Sequence, residues 1–347
     1  MNFSYFMPVK IIYGKGEFKK LKEYIDENTM VICDPFLKDK IDFGKVVFSE
    51  IIPNPPTQQV KKAVSIAKKE NITTIVAIGG GSTIDTAKAV SCFAENIENE
   101  VPKEKKTKLI VCPTTSGTGS EVTNVGVYTF SSGLKMPVVT DAFWPDLSIV
   151  DPELTYSMPK NVTISTGLDA FTHAIESYWA TSTQDISQAL SLKAAKIIKE
   201  NLLKSANFDY SARDEMSKAS LIAGIAFSQT RTTAAHAISF PLTNRYGIPH
   251  GIACALTLSH LIEFVYENNK SILEEFLDFL KTDVKDLKEW IDNAITEGGF
   301  SLKLRDYGVK ETELPKIVED SFKANIIKLT PANFTEDNLM QILKKIF

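Results

Sequence analysis

The stretch ITTIVAIGGGSTIDTAKA, from Ile72 to Ala89, decides the fold of the first half of this chain. Its first seven residues are apolar or β-branched, which predicts a strand buried on both faces, and its last residues favour a helix. The glycines between them let backbone amides approach a ligand closely, and the N-terminus of a helix favours negative charge. The stretch therefore predicts a strand–turn–helix unit that can hold a phosphate. The GxGxxG spacing is absent, however, and a tight turn with Ser82 as the helix N-cap explains the same residues.

Strand and helix patterns alternate on both sides of this unit. Met30–Cys33, Val46–Phe48 and Leu109–Cys112 are predicted to be strands, and Thr57–Glu70 carries a helical stripe of apolar residues. Alternation of this kind is typical of a mostly parallel sheet that is covered on both faces. We therefore expect residues 1–155 to form a Rossmann-like, nucleotide-binding α/β domain.

A second glycine-rich turn, Pro113–Glu121, follows the strand Leu109–Cys112 and is dense in hydroxyl groups. Ligands of open α/β sheets bind outside the carboxyl ends of the strands, where both turns are expected to lie. Together the two turns favour a nucleotide site. Asp34, which follows a strand of its own, can accept hydrogen bonds from a ribose, or it can cap the N-terminus of a helix.

Beyond residue 155 the predicted segments are long and helical, with no convincing strand. The predicted helices are Ile186–Leu203, Asp214–Phe227, Gly251–Tyr266 and Ser271–Ile295. We expect residues 156–347 to form an all-helical domain that carries the metal and substrate sites. A chain of 347 residues is also long enough for two domains.

The chain has four histidines, and three of them occur in weakly charged segments that are expected to be buried. Asp169 and His173 are four residues apart in a predicted helix, so they lie on one face of it. His236 lies in a run of small residues, and His250 stands between a proline and a glycine. A carboxylate with imidazoles suits a zinc-like or iron-like ion better than calcium or magnesium. A hydrogen-bonded Asp–His pair without a metal is the simpler alternative.

Composition excludes several classes of protein. The formal net charge of −4 gives no basic surface for nucleic acid. No apolar run approaches the length that spans a membrane, and the N-terminal segment lacks the charged head of a signal peptide. The four cysteines are scattered without CxxC spacing, which is typical of reduced, buried thiols. We therefore expect a cytoplasmic protein.

The chain resembles the iron-containing (group III) alcohol dehydrogenases over nearly its whole length. The motifs that carry the resemblance are, in order, Gly79–Ser82 with Asp85 and Lys88, Pro113–Glu121, Asp151–Pro152, Gly167–Asp169 with His173 and Glu176, and Pro249–Gly251. The resemblance implies the two-domain, dehydroquinate-synthase-like fold of the iron-containing alcohol dehydrogenases. It also implies a nicotinamide cofactor, and a divalent metal, Fe2+ or Zn2+.

The same resemblance assigns individual residues. It implies metal ligation by Asp169, His173, His236 and His250, which would form the catalytic site. It implies cofactor contacts at Asp34, Gly80, Gly81, Ser82, Thr114, Thr118 and Lys135. NAD is favoured over NADP because an acidic residue at the place of Asp34 tends to repel the 2′-phosphate. We also expect a homodimer.

The implied reaction is hydride transfer between the nicotinamide and a small aldehyde or primary alcohol. Many members of this family carry a histidine four residues after the third metal ligand, where it is proposed to relay protons. This chain has Phe240 at that position, so an imidazole relay from it is not expected. His260 is a poor substitute, because ten residues of helix, roughly 15 Å, separate it from His250.

The arginines bear on the substrate, since the chain has only four and two of them stand five residues before a ligand histidine. Arg231 and Arg245 are therefore candidates to bind an anionic end of the substrate, and salt bridges are the alternative. The run Arg231–Thr243 is similar to the branch of the family that reduces phosphonoacetaldehyde to 2-hydroxyethylphosphonate. A simple alkanol or diol dehydrogenase, a cyclising synthase of the same fold that uses NAD and a metal, and a non-catalytic nucleotide-binding protein remain as alternatives.

Overall fold

The computed structural model describes residues 2–347, which divide into two compact units. One unit is Phe6–Ser157, and the other is Met158–Phe347 together with the residues up to Tyr5. The sequence assigned the first residues to the α/β domain, but Tyr5 Oη donates a hydrogen bond to the carbonyl of Ile225 at 3.0 Å. This contact attaches the N-terminal residues to the second unit.

Phe6–Ser157 is an α/β unit built on a six-stranded sheet in which every pairing is parallel. The predicted parallel sheet is thereby confirmed, although the sequence did not identify its outer strand at Lys10–Tyr13 or the strand Leu147–Val150. The strands of the sheet are β1 Lys10–Tyr13, β2 Thr29–Cys33, β3 Val46–Phe48, β4 Thr74–Gly79, β5 Lys108–Pro113 and β8 Leu147–Val150. An antiparallel hairpin of β6 Val125–Thr129 and β7 Lys135–Val139 and the helices α1 Thr57–Lys69 and α2 Gly81–Ser91 complete the unit.

Both faces of the sheet are buried, as the continuous apolar strands predict. In β2, Met30 and Ile32 pack into one hydrophobic cluster, while Val31 and Cys33 pack into a second cluster. Successive side chains of a strand point to opposite faces, so a strand that is covered on both sides is apolar at every position.

The order of the strands, β1-β8-β5-β4-β2-β3, has a switch point between β2 and β4. From β2 the chain adds β3 on one side, and from β4 it adds β5 on the other side. A crevice forms at the carboxyl ends of the strands where the direction reverses, and open α/β sheets bind their ligands there. Asp34 follows β2 and the first glycine turn follows β4, so both lie at this switch point.

The second unit is helical, and no strand occurs among its described residues. Together with the first unit it confirms the predicted combination of an α/β unit and a helical unit. Its helices are α3 Lys160–Trp179, α4 Asp185–Ala206, α5 Tyr210–Thr230, α6 Ala234–Tyr246, α7 His250–Asn268, α8 Ser271–Leu280, α9 Val284–Glu297, α10 Leu314–Phe322 and α11 Glu336–Lys345. The segment Ser271–Ile295, predicted as helical, is two helices. The chain turns at Lys281, which has a φ of +50°, and Asp283 caps the next helix by accepting from the backbone N–H of Asp286.

The central helix of this unit is α3. Every residue from Gly167 to Trp179 is buried, which requires neighbouring helices on all sides. Its buried polar side chains include Asp169, His173 and Glu176, and such groups are costly unless they are hydrogen-bonded or bind an ion. Among residues 2–347, no helix combines the length and the apolar character that crossing a bilayer would require.

Candidate active site

The predicted metal ligands meet at one point of the helical unit. Asp169 and His173 lie on α3, His236 lies near the start of α6, and His250 is the first residue of α7. From Asp169 Oδ1, the Nε2 atoms of His236, His250 and His173 lie at 3.5, 3.7 and 4.0 Å. Two ligands that each lie 2.1 Å from a shared ion at a tetrahedral angle are about 3.4 Å apart. The distance from Asp169 Oδ1 to each of the three imidazoles therefore fits ligands that share one ion.

Two buried polar atoms at this point have no hydrogen-bond partner. They are Asp169 Oδ1 and His236 Nε2, which belong to side chains that are 3% and 4% exposed. An unsatisfied buried polar atom costs about 1–3 kcal/mol, and more for a charged group. The alternative of a hydrogen-bonded Asp169–His173 pair does not account for these atoms. Asp169 Oδ1 lies 4.0 Å from His173 Nε2, which is too far for a hydrogen bond. A divalent cation fits the site, since it would satisfy both atoms at once.

A glycine allows α7 to approach α3 closely enough for His250 to reach Asp169. A Cβ atom on Gly251 would lie 1.8 Å from the carbonyl oxygen of Ser165 and 3.0 Å from Asp169 Cβ. No larger residue fits between the two backbones. The close approach of the two helices therefore depends on glycine at position 251.

Glu176 orients His236, a role that the sequence reasoning did not assign. Its Oε2 lies 2.6 Å from His236 Nδ1, and its Oε1 accepts from Thr233 Oγ1 at 2.6 Å and from the backbone N–H of Ala235 at 2.7 Å. A neutral imidazole that donates its Nδ1 proton to this carboxylate keeps the lone pair on Nε2, which faces Asp169. The spacing could have revealed this role, because Glu176 lies seven residues after Asp169 and so shares its helix face.

The other two imidazoles are held by different contacts. The ring of His173 stacks on Phe227 of α5, with centroids 4.1 Å apart and an interplanar angle of 12°. Ser239 Oγ lies 3.2 Å from His250 Nδ1. Burial opposes the charge of Asp169, yet His173 and His250 hold the pKa of this carboxyl well below its usual range. The carboxylate is therefore ionised and ready to bind a cation.

A third type of ligand atom, a sulfur, lies at the same site. Cys254 is fully buried on α7, one turn after His250, and its sulfur lies within 4.8 Å of the ligand atoms of Asp169, His236 and His250. Burial raises the pKa of this thiol. The sequence reasoning treated Cys254 only as a buried thiol, although its spacing of four residues from His250 indicates a shared helix face.

The other predicted site lies in the α/β unit, where Asp34 connects the two glycine turns. Its carboxylate accepts hydrogen bonds from the backbone N–H of Gly80 at 3.2 Å, from Thr114 Oγ1 at 3.3 Å and from Thr83 Oγ1. Asp34 is also the N-cap residue of the short 3-10 helix Pro35–Lys40 that follows, as the alternative predicted, but its side chain makes no capping hydrogen bond there. The carboxylate instead holds the ends of β2, β4 and β5 together.

The two glycine turns pack directly against each other. A Cβ atom on Gly81 would lie 2.8 Å from Thr118 Cγ2, so only glycine allows this contact. Gly80 is the N-cap of α2 and Gly81 its first residue, while the Ser82 hydroxyl accepts from the backbone N–H of Asn54 at 3.0 Å. The alternative of Ser82 as the N-cap is therefore wrong. The N-terminus of α2 and its backbone amides lie at the junction of the turns.

Behind the turns, buried charges hold the second turn and the hairpin in position. Lys88 Nζ donates to Ser120 Oγ at 2.8 Å and to the carbonyl of Val125 at 2.6 Å, and Asp85 Oδ1 accepts from Ser120 Oγ at 2.7 Å. Burial lowers the pKa of Lys88 to about 8. Lys135 is the first residue of β7 and is also buried. Its positive charge favours the ionised form of the Asp85 carboxyl. Lys135 thus lies on the hairpin, whereas the other six predicted cofactor residues lie at the ends of β2, β4 and β5.

The two candidate substrate arginines have different surroundings. Arg245 forms an ion pair with Asp320 of α10, which favours the salt-bridge alternative for this residue. Arg231 follows the last residue of α5 and has a φ of +67° and a ψ of −177°, a backbone conformation that is otherwise almost restricted to glycine. Its Nη1 donates to the carbonyl of Ser228 at 3.4 Å.

Comparison with known proteins agrees with this geometry. Residues 8–152 match the family described as iron-containing alcohol dehydrogenase, and residues 163–347 match the C-terminal part of the Fe-containing alcohol dehydrogenase family. The chain belongs to the iron-containing alcohol dehydrogenase family. It is therefore an oxidoreductase that acts on CH–OH groups.

Individual relatives differ in their substrates. The chain is 34% identical over 275 residues to 1-propanol dehydrogenase PduQ of Citrobacter freundii. This match covers 75% of this chain and 73% of that protein. It is 29% identical over 388 residues to the sulfoacetaldehyde reductase of Bilophila wadsworthia, with 100% of both chains covered. The crystal structure of sulfoacetaldehyde reductase from Bifidobacterium kashiwanohense in complex with NAD+ superposes with a TM-score of 0.92 at 33% identity, over 100% of this chain and 99% of that chain.

Proposed function

We propose that this protein reduces a small aldehyde that carries an anionic group to the corresponding primary alcohol, with NADH as the hydride donor. The observation that carries this proposal is the meeting of Asp169, His173, His236 and His250 around buried atoms that lack partners. These four side chains would hold the divalent ion. When bound, the ion supplies positive charge that polarises a carbonyl oxygen and stabilises the negative charge that develops as hydride arrives.

The residues of the chain itself determine how well this site is organised. Glu176 keeps His236 in the tautomer that leaves Nε2 free to bind a cation. Phe227 fixes the ring plane of His173 by stacking on it. Because these supports are buried on rigid helices, the ligand atoms are preorganised and little reorganisation is needed when a cation binds.

The cofactor is proposed to lie along the two glycine turns, with its pyrophosphate at the N-terminus of α2 and its adenosine ribose near Asp34. Backbone amides at a helix N-terminus favour a phosphate, and the switch point of the sheet is the usual place for such a ligand. The negative charge of Asp34 then favours NAD, because NADP would bring a 2′-phosphate close to a carboxylate.

Replacing Asp34 with asparagine is expected to raise the kcat/KM for NADPH relative to NADH by about tenfold, since a contact between like charges costs on the order of 1–4 kcal/mol. Asparagine is preferable to glycine because its oxygen can still accept from Gly80 and Thr114, while the Thr83 hydroxyl can reverse its role. Steady-state kinetics with both cofactors measure the ratio. The exposed Asp39→Asn change in the same short 3-10 helix is the control and should leave the ratio unchanged. A ratio that is also unchanged in Asp34→Asn would mean that Asp34 only holds the turns.

The proposed anion-binding residue is Arg231, and its backbone conformation supports this role. A non-glycine residue in this region costs on the order of 1–3 kcal/mol, and such strain persists only where the surroundings hold the backbone in place. On one side of Arg231, the carbonyl of Thr230 accepts from Ser182 Oγ at 2.5 Å. On the other side, Thr233 Oγ1 donates to Glu176. Arg231 lies in the short connection between α5, which contacts His173, and α6, which carries His236. A strained arginine at this position favours a role in binding substrate.

Replacing Arg231 with methionine is expected to lower the kcat/KM for sulfoacetaldehyde or phosphonoacetaldehyde by about one to two decades. A hydrogen bond to a charged group contributes about 1.5–3 kcal/mol. The value for propanal, a neutral aldehyde, should change little. Arg245→Met is the matched control, because it removes the same charge from an ion pair with Asp320. Equal losses of activity on anionic and neutral aldehydes would show that Arg231 supports the fold.

The same measurements on the unaltered protein decide between two candidate functions. A higher kcat/KM for sulfoacetaldehyde or phosphonoacetaldehyde than for propanal supports the proposal. The ratio of kcat/KM between the two anionic aldehydes then identifies the substrate. The 34% identity to a 1-propanol dehydrogenase favours a simple alkanol dehydrogenase as the second candidate. A higher kcat/KM for propanal would support the alkanol dehydrogenase and contradict the proposal of an anionic substrate.

A further inference from the structure

We propose that the Cys254 thiolate binds the same divalent ion as Asp169 and the histidines, which adds a sulfur ligand to a site of nitrogen and oxygen donors. The inference rests on the proposed metal site and goes beyond it, because a thiolate changes which ion the site prefers. On binding, the sulfur–metal bond replaces the S–H bond, and the proton leaves to solvent.

The position of the sulfur supports this assignment. Cys254 is one helical turn beyond His250, so both side chains lie on one face of α7. Its sulfur and the ligand atoms of Asp169, His236 and His250 all lie within 4.8 Å of one another. With Zn–S and Zn–N bonds of about 2.3 and 2.1 Å, a sulfur and a nitrogen on one ion are about 3.6 Å apart at a tetrahedral angle and about 4.4 Å apart on opposite sides. The upper bound of 4.8 Å on the observed separations includes this range, so small shifts of the side chains suffice for one shared ion.

A second observation indicates that a ligand belongs at this point. Asp169 Oδ1 and His236 Nε2 are deeply buried and unpartnered, and their residues belong with Cys254 to the group whose ligand atoms lie within 4.8 Å of one another. A cysteine that only filled space would not explain why these polar atoms remain unsatisfied beside it. An ion that binds all of them does explain it.

The chemical consequence concerns the choice of metal. Thiolate is a soft ligand that favours zinc, whereas a set of only imidazole and carboxylate serves iron and zinc alike. We therefore expect the site to bind zinc more tightly than the corresponding site without the sulfur. Replacing Cys254 with serine should lower the affinity for zinc by at least about tenfold. This is the lower end of the loss in metal affinity that follows replacement of residues around a metal ligand.

The test uses the full-length protein, stripped of metal and titrated with Co2+. A bound thiolate gives cobalt an intense sulfur-to-metal charge-transfer absorption in the near ultraviolet. We expect this band at one cobalt per chain in the unaltered protein and in Cys112→Ser, and no such band in Cys254→Ser. Cys112 is a suitable control, because it is as deeply buried as Cys254 but lies in β5 of the α/β unit. Circular dichroism establishes that each variant is folded, and Cys254→Ala replaces the serine variant if it is not.

A second measurement needs no variant. X-ray absorption at the zinc edge of the zinc-loaded protein should show one sulfur neighbour at about 2.3 Å. Zinc bound only by nitrogen and oxygen, or the same cobalt spectrum with and without Cys254, would overturn the inference and leave the proposed function intact. Failure to bind one zinc or cobalt per chain would overturn the metal site as well. Turnover of aldehydes is measured separately. A failure of the proposed sulfur ligand can therefore be distinguished from a failure of the proposed function.

Discussion

Replacing His250 with alanine is expected to abolish stoichiometric binding of the divalent ion and to lower turnover by roughly three decades. Stabilisation of transition-state charge by a metal contributes several kcal/mol, and each 1.4 kcal/mol corresponds to a factor of ten in rate. The variant would also leave Asp169 Oδ1 and His236 Nε2 buried without a full set of partners. Metal content per chain and steady-state kinetics with a saturating aldehyde measure the two effects.

His260→Ala provides the matched control for this experiment. His260 lies on the same helix as His250, but its imidazole is near Glu263, with 3.7 Å between Nδ1 and Oε2. We expect this variant to keep its metal and its turnover. Full activity of His250→Ala after metal has been removed would contradict the proposed metal site, because hydride transfer would then need no ion there.

The second large effect is expected for Glu176→Gln, which changes one atom and leaves the shape of the side chain intact. The backbone N–H of Ala235 can only donate, so the amide oxygen must take the place of Oε1 beside it. The amide NH2 group then faces His236 Nδ1, which has to accept a hydrogen bond. The proton of the imidazole moves to Nε2, and a protonated Nε2 cannot bind a cation. We expect metal affinity to fall by about 10–100-fold, as for other residues that orient a metal ligand.

Metal affinity, measured by competition with a chelator, tests this prediction independently of activity. Glu275→Gln makes the same chemical change in the same unit, where the carboxylate accepts from Tyr178 Oη at 3.1 Å. It should leave metal affinity unchanged. Wild-type affinity in Glu176→Gln would show that the carboxylate does not control the tautomer of His236. Thermal unfolding of both variants separates a loss of metal from a loss of fold.

Several features of this protein could be predicted from the sequence because they depend on local periodicity. The continuous apolar runs Met30–Cys33 of β2 and Ile75–Ile78 of β4 indicate burial on two faces, which is typical of a covered, parallel sheet. The four-residue spacing of Asp169 and His173 places both on one face of a helix. The scarcity of histidines then identified His236 and His250 as partners, and the structure brings all four side chains together.

Only the tertiary structure decided which distant residues contact one another. Asp34 bonds to residues that lie 46, 49 and 80 positions further along the chain, and Arg245 pairs with Asp320 across 75 positions. Periodicity tells which face of an element is buried. It does not tell which other element covers that face or where a side chain on it points, because both depend on how helices and strands pack. The sequence by itself therefore predicted the two kinds of unit and the candidate metal ligands, while packing decided that Glu176 and Cys254 lie beside these candidates.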